Sequence, residues 1–282
     1  MATAITTDST CDLSPALFKR YDVTMISLYI TLGEQTYRDG VDVTSKALFD
    51  YVDRMGELPK TAAPSPEDYH TVFLGLTEAG KDVVHIAISS EMSASYANAC
   101  RAAKEFENVH VIDSRSLSSG TGLLVIKAAE LAARGLPEKE VAAKAAALVP
   151  QVEASFVIDT LTYLHKGGRC SSVAALGANL LQLKPYIEVR DGRMQVSKKY
   201  KGKLRRCLND YIKDRLLNRE DIDPSRAFIT HTVQDAALVE HAKKTVQESF
   251  PFAEILVTDA GGTISSHCGP GTLGVLFIRK EA

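Results

Sequence analysis

The segment Thr258-Asp-Ala-Gly-Gly-Thr-Ile-Ser-Ser-His267-Cys-Gly-Pro-Gly271 gathers four glycines, a proline, a histidine and four hydroxyl residues into fourteen positions. Glycine lets backbone N–H groups approach a ligand closely and adopts positive φ. A histidine among hydroxyls adds a donor, an acceptor or a titrating group. The apolar runs Ala253–Val257 and Leu273–Ile278 flank the segment. It therefore reads as a strand exit of tight turns with a polar tip, suited to a small anion.

Three further stretches carry chemistry. In Lys60-Thr-Ala-Ala-Pro-Ser65 the order Ser then Pro makes Ser65 the N-cap of a helix starting at Pro66, which leaves the Thr61 hydroxyl without a structural duty. In Ser89-Ser-Glu-Met-Ser-Ala-Ser-Tyr96, Ser90 or Ser93 either caps the following helix or joins its free N–H groups in an anion site, for which a carboxylate fits at least as well as a phosphate. In Leu164-His-Lys-Gly-Gly-Arg169-Cys-Ser-Ser172 the two glycines read as a helix C-cap, and a serine then caps a helix over Val173–Leu183. Arg169 is left over, either to clamp an anion or to pin two domains by an ion pair.

Ser93 with His267 could also form a nucleophile and base, as in an acyl or phosphoryl hydrolase. The context Glu91-Met-Ser-Ala-Ser95 lacks the Gly-x-Ser-x-Gly elbow of such enzymes. Between Arg190 and Arg206 eight basic residues, Lys198, Lys199, Lys201 and Lys203 among them, face one acidic residue, Asp191. Such a run is ordinarily a solvated face, and it can also steer an acidic partner. Tyr200 is its only aromatic residue, so stacking on single-stranded nucleic acid is poorly supported.

The elements that must position these residues alternate. Strand-like Ala2–Thr6, Val23–Ile30, Asp82–Ile88 and Asn108–Ile112 lie among helical patterns at Ser14–Tyr21, Ser45–Arg54, Pro66–Thr77, Ser93–Phe106 and Ser116–Arg134. This predicts a three-layer α/β/α domain with a mostly parallel sheet, whose polar strand exits after Thr6, Ile88 and Ile112 share one rim. Near residue 150 the rhythm changes. A strand at Ala154–Ile158, a hairpin turning at Asp191-Gly192, strands at Ala227–His231, Glu254–Val257 and Leu273–Ile278, and helices at Leu204–Leu217 and Asp235–Ser249 predict a two-layer α/β domain with a mixed sheet. The expected division is 1–150 and 151–282.

Composition narrows the class. A net charge of −2 argues against bulk nucleic-acid binding. Five cysteines without C-x-x-C spacing, and no signal-like N-terminus, point to a cytoplasmic protein without disulfides, zinc or other cofactor.

Thr7-Asp-Ser-Thr-Cys-Asp-Leu13, Thr61-Ala-Ala-Pro-Ser65, Ser89–Tyr96, Asp113-Ser, Leu164–Arg169 and His267-Cys-Gly-Pro-Gly271 follow one another along nearly the whole chain. In that order they resemble the DegV family, bacterial fatty-acid-binding proteins. The resemblance implies a long-chain fatty acid buried between two domains and no catalysis by the chain itself. Its role would be the lipid-carrying subunit of a fatty acid kinase, presenting the acyl carboxylate to a separate ATP-dependent subunit in the service of phospholipid synthesis, with room for transient membrane contact. It implies that Thr61 and Ser93 hydrogen-bond the carboxylate and that His267 and Arg169 stand at the mouth of the site. Lys198, Lys199, Lys201 and Lys203 are a candidate docking face for the kinase subunit. Many relatives carry Ser-Gln where this chain has Ala62-Ala63, and Gly-Thr where it has Ala94-Ser95, so polarity beside the carboxylate is reduced here.

Overall fold

A computed structural model describes residues 2–170, 172 and 183–280 of the chain. The first domain is built on a parallel sheet of β1 (Ala2–Asp8), β2 (Val23–Ile26), β6 (Lys81–Ala87) and β7 (Val109–Asp113), in the order β2-β1-β6-β7. β6 is buried along almost its whole length, as a central parallel strand covered on both faces must be. On one face lie α1 (Pro15–Tyr21), α5 (Ser118–Ala133) and α6 (Glu138–Leu148). On the other, α3 (Pro66–Glu78) and α4 (Ser95–Ala103) close a core around Tyr69 and Phe73. This is the expected three-layer arrangement.

The run Val23–Ile30 is two strands rather than one. β2 ends at Ile26, and the chain turns at Leu28, whose N–H donates to the Ser9 hydroxyl at 3.1 Å. β3 (Tyr29–Leu32) then joins β4 (Gln35–Arg38) and β5 (Lys60–Ala62) in a small antiparallel sheet of order β4-β3-β5, with α2 (Ser45–Met55) inserted between β4 and β5.

The second domain carries a mixed seven-stranded sheet. It comprises β8 (Val152–Glu153), β9 (Ser155–Val157), β10 (Leu183–Arg190), β11 (Arg193–Lys201), β12 (Ile222–His231), β13 (Glu254–Asp259) and β14 (Leu273–Arg279). The main order is β11-β10-β9-β14-β12-β13, with β8 paired to β14. The β10–β11 hairpin turns at Asp191 (φ 49°) and Gly192 (φ 78°), the left-handed pair that an Asp-Gly hairpin favours. α7 (Thr162–Gly167) precedes the Gly-Arg turn. α8 (Leu204–Leu216) and α9 (Ala236–Ser249) cover one face of this sheet. The helix expected over Val173–Leu183 falls at 173–182 outside the described residues, and Leu183 opens β10.

The main correction concerns the Gly-rich segment. Gly262–Cys268 is a helix, α10, not a loop of turns. The first half of α5, 118–126, is buried all round because the helix lies between the parallel and the mixed sheet, packing on β1 and β6 on one side and on β12 and β14 on the other. At the seam Ser119 Oγ meets Thr230 Oγ1 at 2.6 Å, and Arg226 reaches back to Glu130 at 3.0 Å and to the Tyr21 hydroxyl at 3.1 Å.

Candidate functional site

Thr61 and His267, 206 residues apart in the chain, meet across the seam: Thr61 Oγ1 lies 2.8 Å from His267 Nε2. Thr61 is placed by β5, where it stands opposite Ile30. His267 comes from the last turn of α10. Its other nitrogen, Nδ1, is buried without a partner among the described residues, and it packs over Gly167 so closely that a Cβ there would lie 2.6 Å away.

The missing partner fixes the tautomer. A buried N–H without an acceptor costs about 1–3 kcal/mol, so the hydrogen belongs on Nε2. It is donated to Thr61 Oγ1, which frees the Thr61 O–H to point elsewhere. Burial first, and the nearby Arg169 charge second, lower the His267 pKa to about 4, so the ring is neutral at pH 7.

Ser93 is held locally. The turn after β6 is closed by Met92 N and Ser93 N donating to Ser89 O at 3.0 and 3.2 Å. Ser93 Oγ accepts from Ser95 N–H at 3.2 Å and lies 2.9 Å from Ser95 Oγ. The residue at the start of α4 is Ala94, and no side chain caps that helix, so neither Ser90 nor Ser93 is its cap. Ser95 hydrogen-bonds Tyr69, whose hydroxyl donates to Asp8 Oδ1 at 2.6 Å, so a buried polar chain stands behind Ser93. By contrast Ser65 is the expected cap of α3, in a reciprocal pair with Asp68.

Arg169 is exposed and donates to Gly167 O at 2.8 Å, within its own turn. Ser93 and His267 do not pair. The His267 Nε2 is engaged by Thr61 and the Ser93 hydroxyl by Ser95, so the nucleophile and base that a hydrolase needs are not assembled.

Thr61, Ser93, Arg169 and His267 all line one cavity of about 170 Å³. Apart from Thr263, its remaining wall is apolar, with Leu28, Ile88, Met92, Leu117, Met194 and Ile264 prominent. Most of that wall belongs to a single core cluster shared by the two domains. An apolar void of about 20 Å³ beyond it shares Leu117, Ile264 and Cys268 with the cavity.

Sequence reasoning missed Thr263. It lines the cavity, is 5% exposed, and its Oγ1 has no partner among the described residues. Its only signal was membership of the Gly-rich segment. Lys198, Lys199, Lys201 and Lys203 are not at the cavity. The first three lie on β11, an edge strand, and Lys203 precedes α8. All four are exposed, and Lys198 pairs with Asp214 at 2.5 Å. Lysines on an edge strand also discourage pairing with another sheet.

Among the described residues no group of three His, Cys, Asp or Glu side chains is placed to hold a metal. No described helix is long and apolar enough to cross a membrane.

Known proteins share this architecture. The family model described as "Uncharacterised protein, DegV family" matches residues 2–280. A DegV domain-containing protein of Clostridium acetobutylicum is 32% identical over 280 residues, covering 98% of both chains. The fatty-acid-binding DegV family protein of Thermus thermophilus superposes with a TM-score of 0.89 at 30% identity, covering 99% of this chain and 100% of that one. A stearic-acid-binding protein of Eubacterium ventriosum superposes with a TM-score of 0.84 at 27% identity, covering 99% and 98%. With its matched motifs, its two sheets and its shared seam, the chain belongs to the DegV family.

Proposed function

We propose that the chain binds a long-chain fatty acid between domains 1–150 and 151–282 and presents its carboxylate to a separate, ATP-dependent kinase subunit in the cytoplasm. The observation that carries this reading is that Thr61, paired with His267, and Ser93 line one cavity with a largely apolar wall; with the hydrogen on His267 Nε2, the Thr61 O–H is available to a ligand there. Thr61 and Ser93 donate to the carboxylate. Thr263, whose hydroxyl is otherwise unpaired, supplies a third donor where Ala62 and Ala63 offer none.

Energetics divide the labour. Burying a chain of about sixteen carbons gains roughly 0.8 kcal/mol per methylene, on the order of 11 kcal/mol before ordering costs. The tail therefore supplies affinity, and the neutral donors prevent an uncompensated buried charge. The cavity of about 170 Å³ fits a head group and the first part of a tail. It is smaller than the ~300–1,000 Å³ of ordinary ligand sites. The flexible Met92 and Met194 must move for the rest, which then runs past Leu117 and Ile264.

Hydroxyl donors leave one carboxylate oxygen free to attack the γ-phosphorus of ATP, breaking the bond to ADP and forming an acyl phosphate. Arg169 at the mouth attracts the anion without forming a fork that would occupy both oxygens. The β11 lysines Lys198, Lys199 and Lys201, with Lys203, offer the kinase subunit a basic docking face.

Protein purified from a heterologous host should release fatty acid on denaturation. No lipid by mass spectrometry, together with no uptake of palmitate or oleate, overturns the binding reading. Lipid-loaded protein that yields no acyl phosphate with a fatty acid kinase subunit and ATP overturns the presentation reading.

A further inference from the structure

The helix that carries His267 is capped by the other domain. Asp12 Oδ1 accepts from Gly261 N–H at 2.9 Å, and Asp39 Oδ1 accepts from Gly262 N–H at 2.8 Å. Each second oxygen is also used: Asp12 Oδ2 accepts from Ser118 Oγ at 2.5 Å, and Asp39 Oδ2 from Ser9 Oγ at 3.0 Å. Both aspartates are buried, at 4% and 0% exposure. Ser45 Oγ donates to Ala260 O at 2.5 Å and Ser265 Oγ to Ser45 Oγ at 2.9 Å, which closes the same contact from the side of α2.

The approach is tight. A Cβ on Gly262 would lie 2.5 Å from Ile30 Cδ1 and 3.1 Å from Asp39 Oδ1. Ile30 is the residue opposite Thr61 in the small sheet. The start of α10 is thus seated against the strand pair that holds Thr61, and the end of α10 delivers His267 to Thr61.

A serine next to the helix start could supply an acceptor for the free N–H groups at its N-terminus without burying a charge. Two buried carboxylates side by side are an expensive way to do it. Burial, with a smaller contribution from the neighbouring Asp39, pushes Asp12 up to about 8 against the lowering by its hydrogen bonds from Ser118 and Gly261. The arrangement therefore does more than end a helix. It ties the orientation of α10 to the first domain at both ends.

We infer that Asp12 and Asp39 are positioning residues for the head-group site: by capping α10 from the first domain they hold His267 in register with Thr61. Their effect on lipid binding rests on the fatty-acid reading above, whereas their effect on His267 does not.

The test is made on lipid-free full-length protein carrying ¹⁵N-labelled histidine. Side-chain NMR reports the His267 tautomer and titration. In D12A and D39A the Nε2–H form should give way to a mixture of tautomers, and the proton affinity of His267 should rise about tenfold or more as the ring loses its buried setting. D12N and D39N, which keep an acceptor for the glycine N–H groups, should restore the wild-type tautomer. In palmitate binding the alanine variants should be weaker by about tenfold and the asparagine variants by less than about threefold.

Should the alanine variants fail to fold, S9A and S118A remove one donor from each carboxylate and should shift the His267 signals in the same direction by less. V246A, a cavity in the core of the second domain, controls for loss of stability alone. An unchanged His267 signature in folded D12A, D39A, S9A and S118A overturns the inference, as does an equal change in V246A. A shifted signature with unaltered palmitate affinity upholds the positioning and overturns the head-group reading instead.

Discussion

Thr61 takes its orientation from a histidine 206 residues away, on a helix of the other domain, whereas Ser93 takes its own from a serine two residues along the same turn. Both face one cavity. The Thr61 half exists only when the domains are docked, and each member of it depends on a close approach: Gly167 under the imidazole, Gly262 against Ile30, two aspartates on the end of α10. The Ser93 hydroxyl is bonded within the first domain, backed by Ser95, Tyr69 and Asp8, and the second domain touches its turn one step away, at Ser89–Gly192 and Glu91–Arg193. One donor is thus oriented directly across the seam, and the other by its own turn.

The comparison is broken most severely at Gly167. A side chain there would enter the space of His267 Nδ1, with the Cβ alone at 2.6 Å. Gly167→Val should move the imidazole off Thr61, abolish measurable palmitate binding and lower stability by about 3 kcal/mol, the upper range for overpacking. Isothermal titration and urea denaturation check both parts. Binding within threefold of wild type would mean that the histidine does not set the Thr61 donor.

Thr61→Val keeps the shape of the side chain and removes the hydroxyl. It takes a hydrogen bond from the carboxylate and leaves the His267 Nε2–H buried without an acceptor. The first loss should weaken lipid binding by about 2 kcal/mol, and the second, present with or without lipid, should lower folding stability by about 1–3 kcal/mol. An affinity change below about 1 kcal/mol would remove Thr61 from the list of ligands.

The histidine also gives this half a pH signature. His267 is lowered to about 4 from an ordinary value of 6.5, so between these values the unfolded chain binds more protons than the folded one. Stability conferred relative to H267Q is complete above pH 6.5 and is lost as pH falls towards 4, on the order of 2 kcal/mol by pH 5. Asp12 acts in the opposite sense: raised to about 8, it binds its proton more tightly when folded, so its contribution declines as pH rises from about 4 to 8. Above pH 6.5 only the Asp12 slope is expected, and Asp12→Asn should flatten it. Urea midpoints at pH 5, 6.5 and 8 separate the two. A wild-type minus H267Q difference that does not change with pH would contradict the buried, neutral imidazole.

The same division governs what the sequence makes legible. Features with local causes are readable: the apolar run of β6, the Ser65 cap, and the Asp191-Gly192 turn all depend on neighbours within a few residues. Thr61, Ser93, Arg169 and His267 could be picked out because each lies in one of the polar motifs whose order carries the family resemblance, although Thr61 stands on a strand and His267 on a helix. What stayed hidden has distant causes. Gly262–Cys268 is a helix despite two leading glycines because Asp12 and Asp39 supply its cap, and nothing beside Asp39 points to a glycine 223 residues away. The break in Val23–Ile30 likewise depends on Ser9, 19 residues earlier than Leu28. Thr263 is conspicuous only when its unpaired hydroxyl is seen against the cavity wall.

Ser93→Ala probes the half whose donor is oriented by its own turn. The mutation removes one donor to the carboxylate, while Ser95 keeps its contact with Tyr69 and the turn keeps its backbone bonds to Ser89. Palmitate affinity should fall by about 1 kcal/mol, since a single hydrogen bond is small beside the burial of the tail. Stability should fall by about 1 kcal/mol, because the Ser95 N–H loses its acceptor, while the His267 titration should stay as in the wild type, since no hydrogen bond among the described residues joins Ser93 to Thr61 or His267. Formation of acyl phosphate by the kinase subunit should fall further than affinity does, since the donor orients the oxygen that attacks. A Ser93→Ala protein that perturbs the His267 titration would show that the two halves are coupled through the cavity. One that supports the kinase at the full wild-type rate would leave Thr61 and its histidine as the sole determinants of carboxylate geometry.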